Sequence, residues 1–87
     1  MTEGWRYILT PQARRDMRRL DRPVRQRIFD ALDNYVDEHR GSIRKLTGRE
    51  DEWRLRVGDW RVRFEFDRAN HIVVVLRVLP RGEAYRP

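Results

Sequence analysis

The stretch from Trp53 to Phe66 reads WRLRVGDWRVRFEF, and it decides the fold. Apolar and polar residues alternate on both sides of Gly58-Asp59, a dipeptide that suits a tight turn between antiparallel strands. A two-residue turn places four arginines on one face of this hairpin. The apolar side chains then share the other face, and they are Trp53, Leu55, Val57, Trp60, Val62 and Phe64.

The arginine face is costly for the hairpin. The predicted register sets Arg54 opposite Arg63 and Arg56 opposite Arg61, and like charges in such positions are destabilising. At ~5 Å and an effective dielectric of about 20, each pair costs on the order of 3 kcal/mol, and less with full hydration. We interpret the cluster as a surface that binds an anion.

Two acidic residues offer another interpretation of the same face. Glu52 and Glu65 share it, and diagonal contacts would let them neutralise Arg63 and Arg54. The hairpin would then present an ordinary solvated, salt-bridged surface. The two arginines nearer the turn have no comparable acid in register, so we favour anion binding.

Length and charge limit the classes of partner. With 87 residues, we expect residues 1–87 to form a single small domain. The net charge of +6 favours polyanions, such as nucleic acid or an acidic protein segment. Lys45 is the only lysine among the 20 basic residues, and arginine binds phosphate bidentately and stacks on bases. A general bias of the source toward arginine would produce the same ratio.

The sequence predicts neither a metal centre nor a cofactor. There is no cysteine, and His39 and His71 are isolated. The longest apolar run, Ile72 to Leu76, is too short to cross a membrane. We therefore expect a soluble cytoplasmic protein without a membrane partner.

The remaining chain predicts an α+β fold in the order β-α-α-β-β-β. Thr10 and Pro11 indicate the start of a first helix, and Gly41 suits the end of a second. The predicted architecture is a two-helix hairpin on a twisted, mainly antiparallel, four-stranded sheet. The predicted elements besides the arginine hairpin are a strand Trp5–Leu9, helices Pro11–Leu20 and Pro23–Glu38, a polar connection Ser42–Asp51 and a strand His71–Leu79.

Arg77 interrupts the apolar last strand, which we expect to lie centrally in the sheet. By simple alternation it shares the face of Val73, Val75 and Leu79. A charge there needs a paired or functional reason, although a side chain that reaches solvent from the strand end explains it equally well.

These features resemble the RelE/ParE superfamily of toxins from toxin–antitoxin systems. The resemblance covers essentially the whole chain and rests on the element order, the block Trp53–Phe66 and the terminal Arg81…Tyr85-Arg86. It implies a RelE-like fold and a cognate antitoxin as partner. RelE-like members cleave mRNA in the ribosomal A site without metal, with the RNA 2′-hydroxyl as nucleophile. ParE-like members inhibit DNA gyrase instead.

The resemblance also implies a set of site residues. The predicted catalytic residues are Arg54, Arg56, Arg61, Arg81 and Tyr85. Arg56 and Arg61 would stabilise the pentavalent phosphorane, and Arg81 would neutralise or protonate the departing 5′-oxygen. Arg54 would orient the scissile phosphate, and Tyr85 would stack on a base or align the 2′-hydroxyl. The residues predicted to bind RNA are Lys45, Arg63, Arg77 and Arg86.

One departure from the RelE pattern leaves the activity open. Arg54 and Arg56 stand where RelE-like toxins often have lysine, and arginine does not lose its proton. The general base is thus undefined, with Glu52, Glu65 and His71 as other candidates. We predict a ribosome-dependent mRNA endonuclease. The alternatives are a ParE-like gyrase inhibitor without nuclease activity and a non-catalytic module that binds RNA or titrates antitoxin.

Overall fold

The computed structural model describes residues 4–45 and 51–83. Two helices lie against a five-stranded sheet of order β1-β5-β4-β3-β2, in which β1 is parallel to β5 and the other neighbours are antiparallel. The elements are β1 (Arg6–Leu9), α1 (Pro11–Arg18), α2 (Arg22–Glu38), β2 (Ser42–Lys45), β3 (Glu52–Val57), β4 (Trp60–Asp67) and β5 (Ile72–Pro80). The predicted α+β class is confirmed. The last strand lies inside the sheet, between β1 and β4, but β4 and not β5 is the central strand.

The predicted number of strands is wrong by one. β2 forms where the sequence indicated a polar connection, and it pairs with β3 from Ser42 opposite Arg56 to Lys45 opposite Trp53. With four residues and one apolar side chain, Ile43, this segment is too short to show a recognisable alternation.

Local capping defines the helices. The Thr10 Oγ1 accepts the Ala13 N–H at 3.2 Å, and the Asp21 Oδ1 accepts the Val24 N–H at 3.1 Å. The second helix ends at His39, which adopts a left-handed conformation with φ 59°, two residues before the glycine that the sequence favoured. In the described residues, neither helix is long and apolar enough to cross a membrane.

The helix hairpin covers the apolar face of the sheet, as predicted. Each fully buried aliphatic or aromatic side chain contributes about 1.5–3 kcal/mol to this packing. The buried cluster comprises Ala13, Met17, Leu20, Ile28, Leu32, Tyr35 and Val36 from the helical layer, with Leu55, Val57, Val62, Phe64, Val73, Val75 and Val78 from the sheet. The arginines of β3 and β4 alternate with these residues and therefore lie on the opposite face.

A bulge in β5 changes which side chains share a face. Arg63 lies opposite Arg77 and Phe64 lies opposite Val75, so Leu76 is an extra residue on β5. The expected position of Arg77 on the face of Val75 is therefore wrong, because simple alternation fails at the bulge. Arg77 lies in the same cross-strand row as Arg63.

Arg77 has the paired role that its position required. Its Nε donates to Asp16 Oδ2 at 2.8 Å, and its Nη2 donates to Asp16 Oδ1 at 3.3 Å. The Val78 N–H also donates to Asp16 Oδ2, at 2.9 Å. Burial raises the pKa of Asp16, but the hydrogen bonds from Arg77 and Val78 outweigh it and hold the pKa below 3.8.

We expect Asp16→Ala to lower the free energy of unfolding by about 2 kcal/mol, because Val78 loses its acceptor and Arg77 its partner. The loss stays moderate because the Arg77 side chain is 37% exposed and water solvates it. At this chain length, the melting temperature should fall by about 8–16 °C. Circular dichroism measures it, with Asp37→Ala on the exposed side of α2 as control.

The same pair makes stability depend on pH. The pKa of Asp16 in the folded protein is below the ordinary value of 3.8. The ionised carboxylate therefore stabilises the fold fully at pH values above 3.8, and this stabilisation is lost as the pH falls through the folded-state pKa. The stability difference between wild type and Asp16→Asn should therefore shrink in acid. Equal differences at pH 7 and pH 2 would contradict this account.

Candidate nucleic-acid interface

The sheet face opposite the helices holds a strongly cationic pocket of ≈ 180 Å³. Three strands and the segment after β5 contribute to it. The lining residues are Ser42, Arg44, Arg54, Arg56, Arg61 and Arg81. We call this the arginine pocket.

Strand register brings the pocket together in two rows. The first row crosses the sheet from Ser42 through Arg56 to Arg61. The second row lies two residues further from the Gly58-Asp59 turn, or roughly 6.6 Å along the strands. It runs through Arg44, Arg54, Arg63 and Arg77.

Arg61 is fixed by the turn that precedes it. Its Nη1 donates to the carbonyls of Gly58 and Trp60, both at 2.8 Å, and the residue is 5% exposed. Nε and Nη2 of this side chain form no hydrogen bond with the described residues. A held guanidinium with donors remaining is suited to bind a phosphate.

Arg81 reaches the pocket through a backbone contact with the same turn. Its N–H donates to the Asp59 carbonyl at 2.9 Å, and the Glu83 N–H donates to the Pro80 carbonyl at 3.0 Å. Residues that lie more than twenty positions apart in the sequence therefore meet around one hairpin turn.

Gly58 is required by the shape of this turn. It has φ 58°, and Val57 lies opposite Trp60, so the turn has two residues as predicted. A Cβ at Gly58 would lie 2.6 Å from Nη2 of Arg27, a flexible side-chain end that can move aside. The main cost of a substitution is therefore backbone strain.

Gly58→Ala should lower the free energy of unfolding by about 1–2 kcal/mol because an alanine is strained at this φ. Urea unfolding measures the loss. Gly82→Ala is the matched control, since Gly82 lacks a positive φ and has open space around it. Equal effects of the two substitutions would contradict the assigned turn geometry.

Carboxylates bind the two arginines of the second row that lie beyond the pocket, Arg63 and Arg77. Glu52 Oε1 accepts from Arg63 Nη2 at 2.6 Å and from Arg63 Nε at 3.1 Å, and both side chains are 10% exposed. Asp16 pairs with Arg77 as described above. In the described parts of the chain, no carboxylate lines the arginine pocket. The salt-bridged interpretation of the hairpin thus holds for Arg63, while the pocket itself is cationic.

Four of the five predicted catalytic residues lie together in the pocket, namely Arg54, Arg56, Arg61 and Arg81. The fifth, Tyr85, and the predicted RNA-binding Arg86 lie outside the described residues. Lys45 is exposed and shares a cross-strand row with Trp53, not with the pocket. RNA binding by Lys45, Arg63 and Arg77 stays a prediction, and the geometry favours a structural role for the two ion-paired arginines.

Sequence reasoning missed Ser42 and Arg44. The only available signal was their i, i+2 spacing around Ile43, which indicates one face of a short strand. None of the three other candidates for a general base lines the pocket. Glu52 binds Arg63, Glu65 is exposed, and His71 stacks on Trp5 with ring centroids 5.1 Å apart. Among residues 4–45 and 51–83, no group of three or more His, Asp or Glu could hold a metal ion.

The fold and the pocket define a small basic protein that presents a cationic sheet face. The sequence profile of the family described as ParE toxin of type II toxin-antitoxin system, parDE, matches residues 7–85. The chain belongs to this family, and it is the toxin of a toxin–antitoxin pair. The comparison with curated protein sequences finds no significant match.

Solved structures of toxin–antitoxin complexes share the fold. The chain is similar to a chain of the archaeal RelE-RelB complex from Pyrococcus horikoshii OT3, with TM-score 0.75, 24% identity and coverage of 91% of this chain and 97% of that one. A chain of the complex RelBE2 from Mycobacterium tuberculosis matches with TM-score 0.74 and 26% identity, covering 94% and 95%. The RelB-RelE complex from Methanococcus jannaschii gives TM-score 0.73 and 21% identity, covering 90% and 94%.

Proposed function

We propose that this toxin is a ribosome-dependent mRNA endonuclease whose site is the arginine pocket. The observation that supports this is the convergence of Arg54, Arg56, Arg61 and Arg81. These four residues come from two strands and the segment after β5, and they are the described residues that the RelE resemblance assigns to catalysis.

The proposed reaction is an internal transfer at one phosphate. The 2′-oxygen of the upstream ribose attacks the adjacent phosphorus, and the bond from phosphorus to the 5′-oxygen breaks. The 2′-hydroxyl proton passes to solvent, and the departing 5′-oxygen takes up a proton. The products are a 2′,3′-cyclic phosphate and a 5′-hydroxyl end.

The pocket contributes charge to this reaction. The phosphorane carries one more negative charge than the phosphodiester, and Arg56 and Arg61 lie side by side in one row to bind it. Arg81 lies on the turn side of this row and serves the departing oxygen. The site binds the transition state more strongly than the substrate because the charge increases there.

The same pocket explains how an antitoxin would inhibit the toxin. We propose a cognate antitoxin whose carboxylates cover the arginine pocket, since a site whose described lining is five arginines and one serine suits an acidic segment. The neighbouring solved structures are complexes of RelE with RelB, which supports this partner. A purified antitoxin should therefore compete with a short RNA for the pocket in a fluorescence anisotropy titration.

Gyrase inhibition is the second candidate function. The observation that favours it is chemical: the described lining of the pocket consists of arginines and one serine, none of which accepts a proton at neutral pH. A gyrase inhibitor needs no such group. This candidate predicts growth arrest with gyrase-linked DNA breaks and intact mRNA.

Induction of the toxin in cells that lack antitoxin separates the two functions. The proposal predicts new RNA 5′ ends inside reading frames and no gyrase-linked DNA breaks. Arg81→Ala should abolish most of these ends. Arg18→Ala is the control of equal charge, because Arg18 is an exposed α1 residue outside the pocket. DNA breaks on gyrase without new RNA ends would overturn the nuclease proposal.

A further inference from the structure

Arg44 extends the arginine pocket onto the edge strand β2. We propose that Arg44 binds a second phosphate of the RNA, namely the one on the 5′ side of the scissile phosphate. This inference rests on the function proposed above for the same pocket. If the inference is correct, the pocket recognises a dinucleotide together with the phosphate on its 5′ side.

The spacing of the two rows fits two neighbouring phosphates. The row of Arg56 and Arg61 receives the scissile phosphate, and Arg44 lies in the row roughly 6.6 Å further along the strands. This separation is comparable to that of adjacent phosphates along a single RNA strand. The part of the pocket at Arg44 can therefore receive a second phosphate while Arg56 and Arg61 bind the scissile one.

The charge around Arg44 favours an anion. It lies directly opposite Arg54, an arrangement that destabilises the strand pair by like-charge repulsion. Within residues 4–45 and 51–83, no carboxylate forms an ion pair with Arg44. A bound phosphate offsets the repulsion and gains charge-assisted hydrogen bonds from an exposed guanidinium.

The positions of Arg81 and Arg44 define the direction in which the RNA crosses the pocket. Arg81 is held at the turn by its N–H contact with Asp59, and Arg44 lies on the far side of the pocket from that turn. The departing 5′-oxygen belongs to the downstream nucleotide, and Arg81 serves it. The upstream chain then crosses the row of Arg54 and reaches β2.

Binding of short, non-cleavable probes tests this inference without ribosomes. The probes are 2′-deoxy dinucleotides that carry no terminal phosphate, a 5′-phosphate or a 3′-phosphate. The two phosphorylated probes have equal charge, so long-range attraction does not distinguish them. Wild-type toxin should bind the 5′-phosphorylated probe about five- to tenfold more tightly than the unphosphorylated one.

Arg44→Ala should remove this preference, because it weakens binding of the 5′-phosphorylated probe much more than binding of the unphosphorylated one. Arg61→Ala should weaken all three probes. Arg40→Ala is the control near β2, since Arg40 pairs with Glu38 at 3.1 Å and lies outside the pocket. It should retain the wild-type preference. Arg44→Ala should also reduce the slope of log affinity against log salt by about 0.7 for the 5′-phosphorylated probe.

Each other outcome overturns the inference. If a 3′-phosphate increases the affinity as much as a 5′-phosphate does, the proposed direction of the RNA is wrong. If Arg44→Ala still prefers the 5′-phosphorylated probe, other residues bind the second phosphate. Failure of the folded toxin to bind any probe would remove both subsites. This experiment does not measure cleavage. If the toxin inhibits gyrase but still prefers the 5′-phosphorylated probe, that result contradicts the nuclease proposal and leaves the assignment of Arg44 intact.

Discussion

Arg61→Ala is expected to slow ribosome-dependent mRNA cleavage by a factor of about 10²–10³. Arg61 combines burial, two backbone hydrogen bonds at 2.8 Å and a place beside Arg56, so its guanidinium is ordered before substrate binds. Such preorganised charge stabilises the transition state without reorganisation. Single-turnover cleavage on programmed ribosomes measures the loss.

The control for this substitution is Arg18→Ala, which removes the same charge from an exposed helix position. It should retain the wild-type rate. Arg61→Lys keeps the charge but lacks the planar fork, so its rate should lie between those of wild type and Arg61→Ala. Circular dichroism verifies that the variants are folded. Wild-type cleavage by folded Arg61→Ala would contradict the assigned site.

Glu52→Ala is expected to lower the free energy of unfolding by about 3–5 kcal/mol, because it leaves the buried Arg63 without its carboxylate partner. Arg63 is 8% exposed, so water cannot replace that partner easily. The variant also gains net positive charge beside the arginine pocket, which adds repulsion. Urea unfolding at pH 7 gives the difference.

Glu65→Ala is the matched control for Glu52→Ala. Glu65 lies directly opposite Glu52 in the hairpin, but it is exposed. Its removal should change the free energy of unfolding by no more than about 0.5 kcal/mol. Similar losses from the two substitutions would show that the buried ion pair does not stabilise the hairpin.

The hairpin could be predicted from the sequence because two signals agree there. The alternation around Gly58-Asp59 defines the faces, and the two-residue turn fixes Arg54 opposite Arg63 and Arg56 opposite Arg61. These signals are local. The same reasoning identified the Thr10 cap, which depends on a residue three positions away.

Other features were beyond the sequence because they depend on distant contacts. The apolar run of β5 has no alternation, so the bulge at Leu76 leaves no trace in it. Asp16 and Arg77 are 61 positions apart, and nothing local indicates that they pair. Arg44 lines the pocket because it lies on β2, a four-residue strand that is too short to be recognised from its sequence pattern.

Cleavage of mRNA on purified ribosomes with the A site open tests the central claim most directly. The account predicts cuts within the A-site codon, no cuts without ribosomes, and products that end in a 2′,3′-cyclic phosphate and a 5′-hydroxyl. Intact mRNA after incubation with folded, antitoxin-free toxin would contradict it.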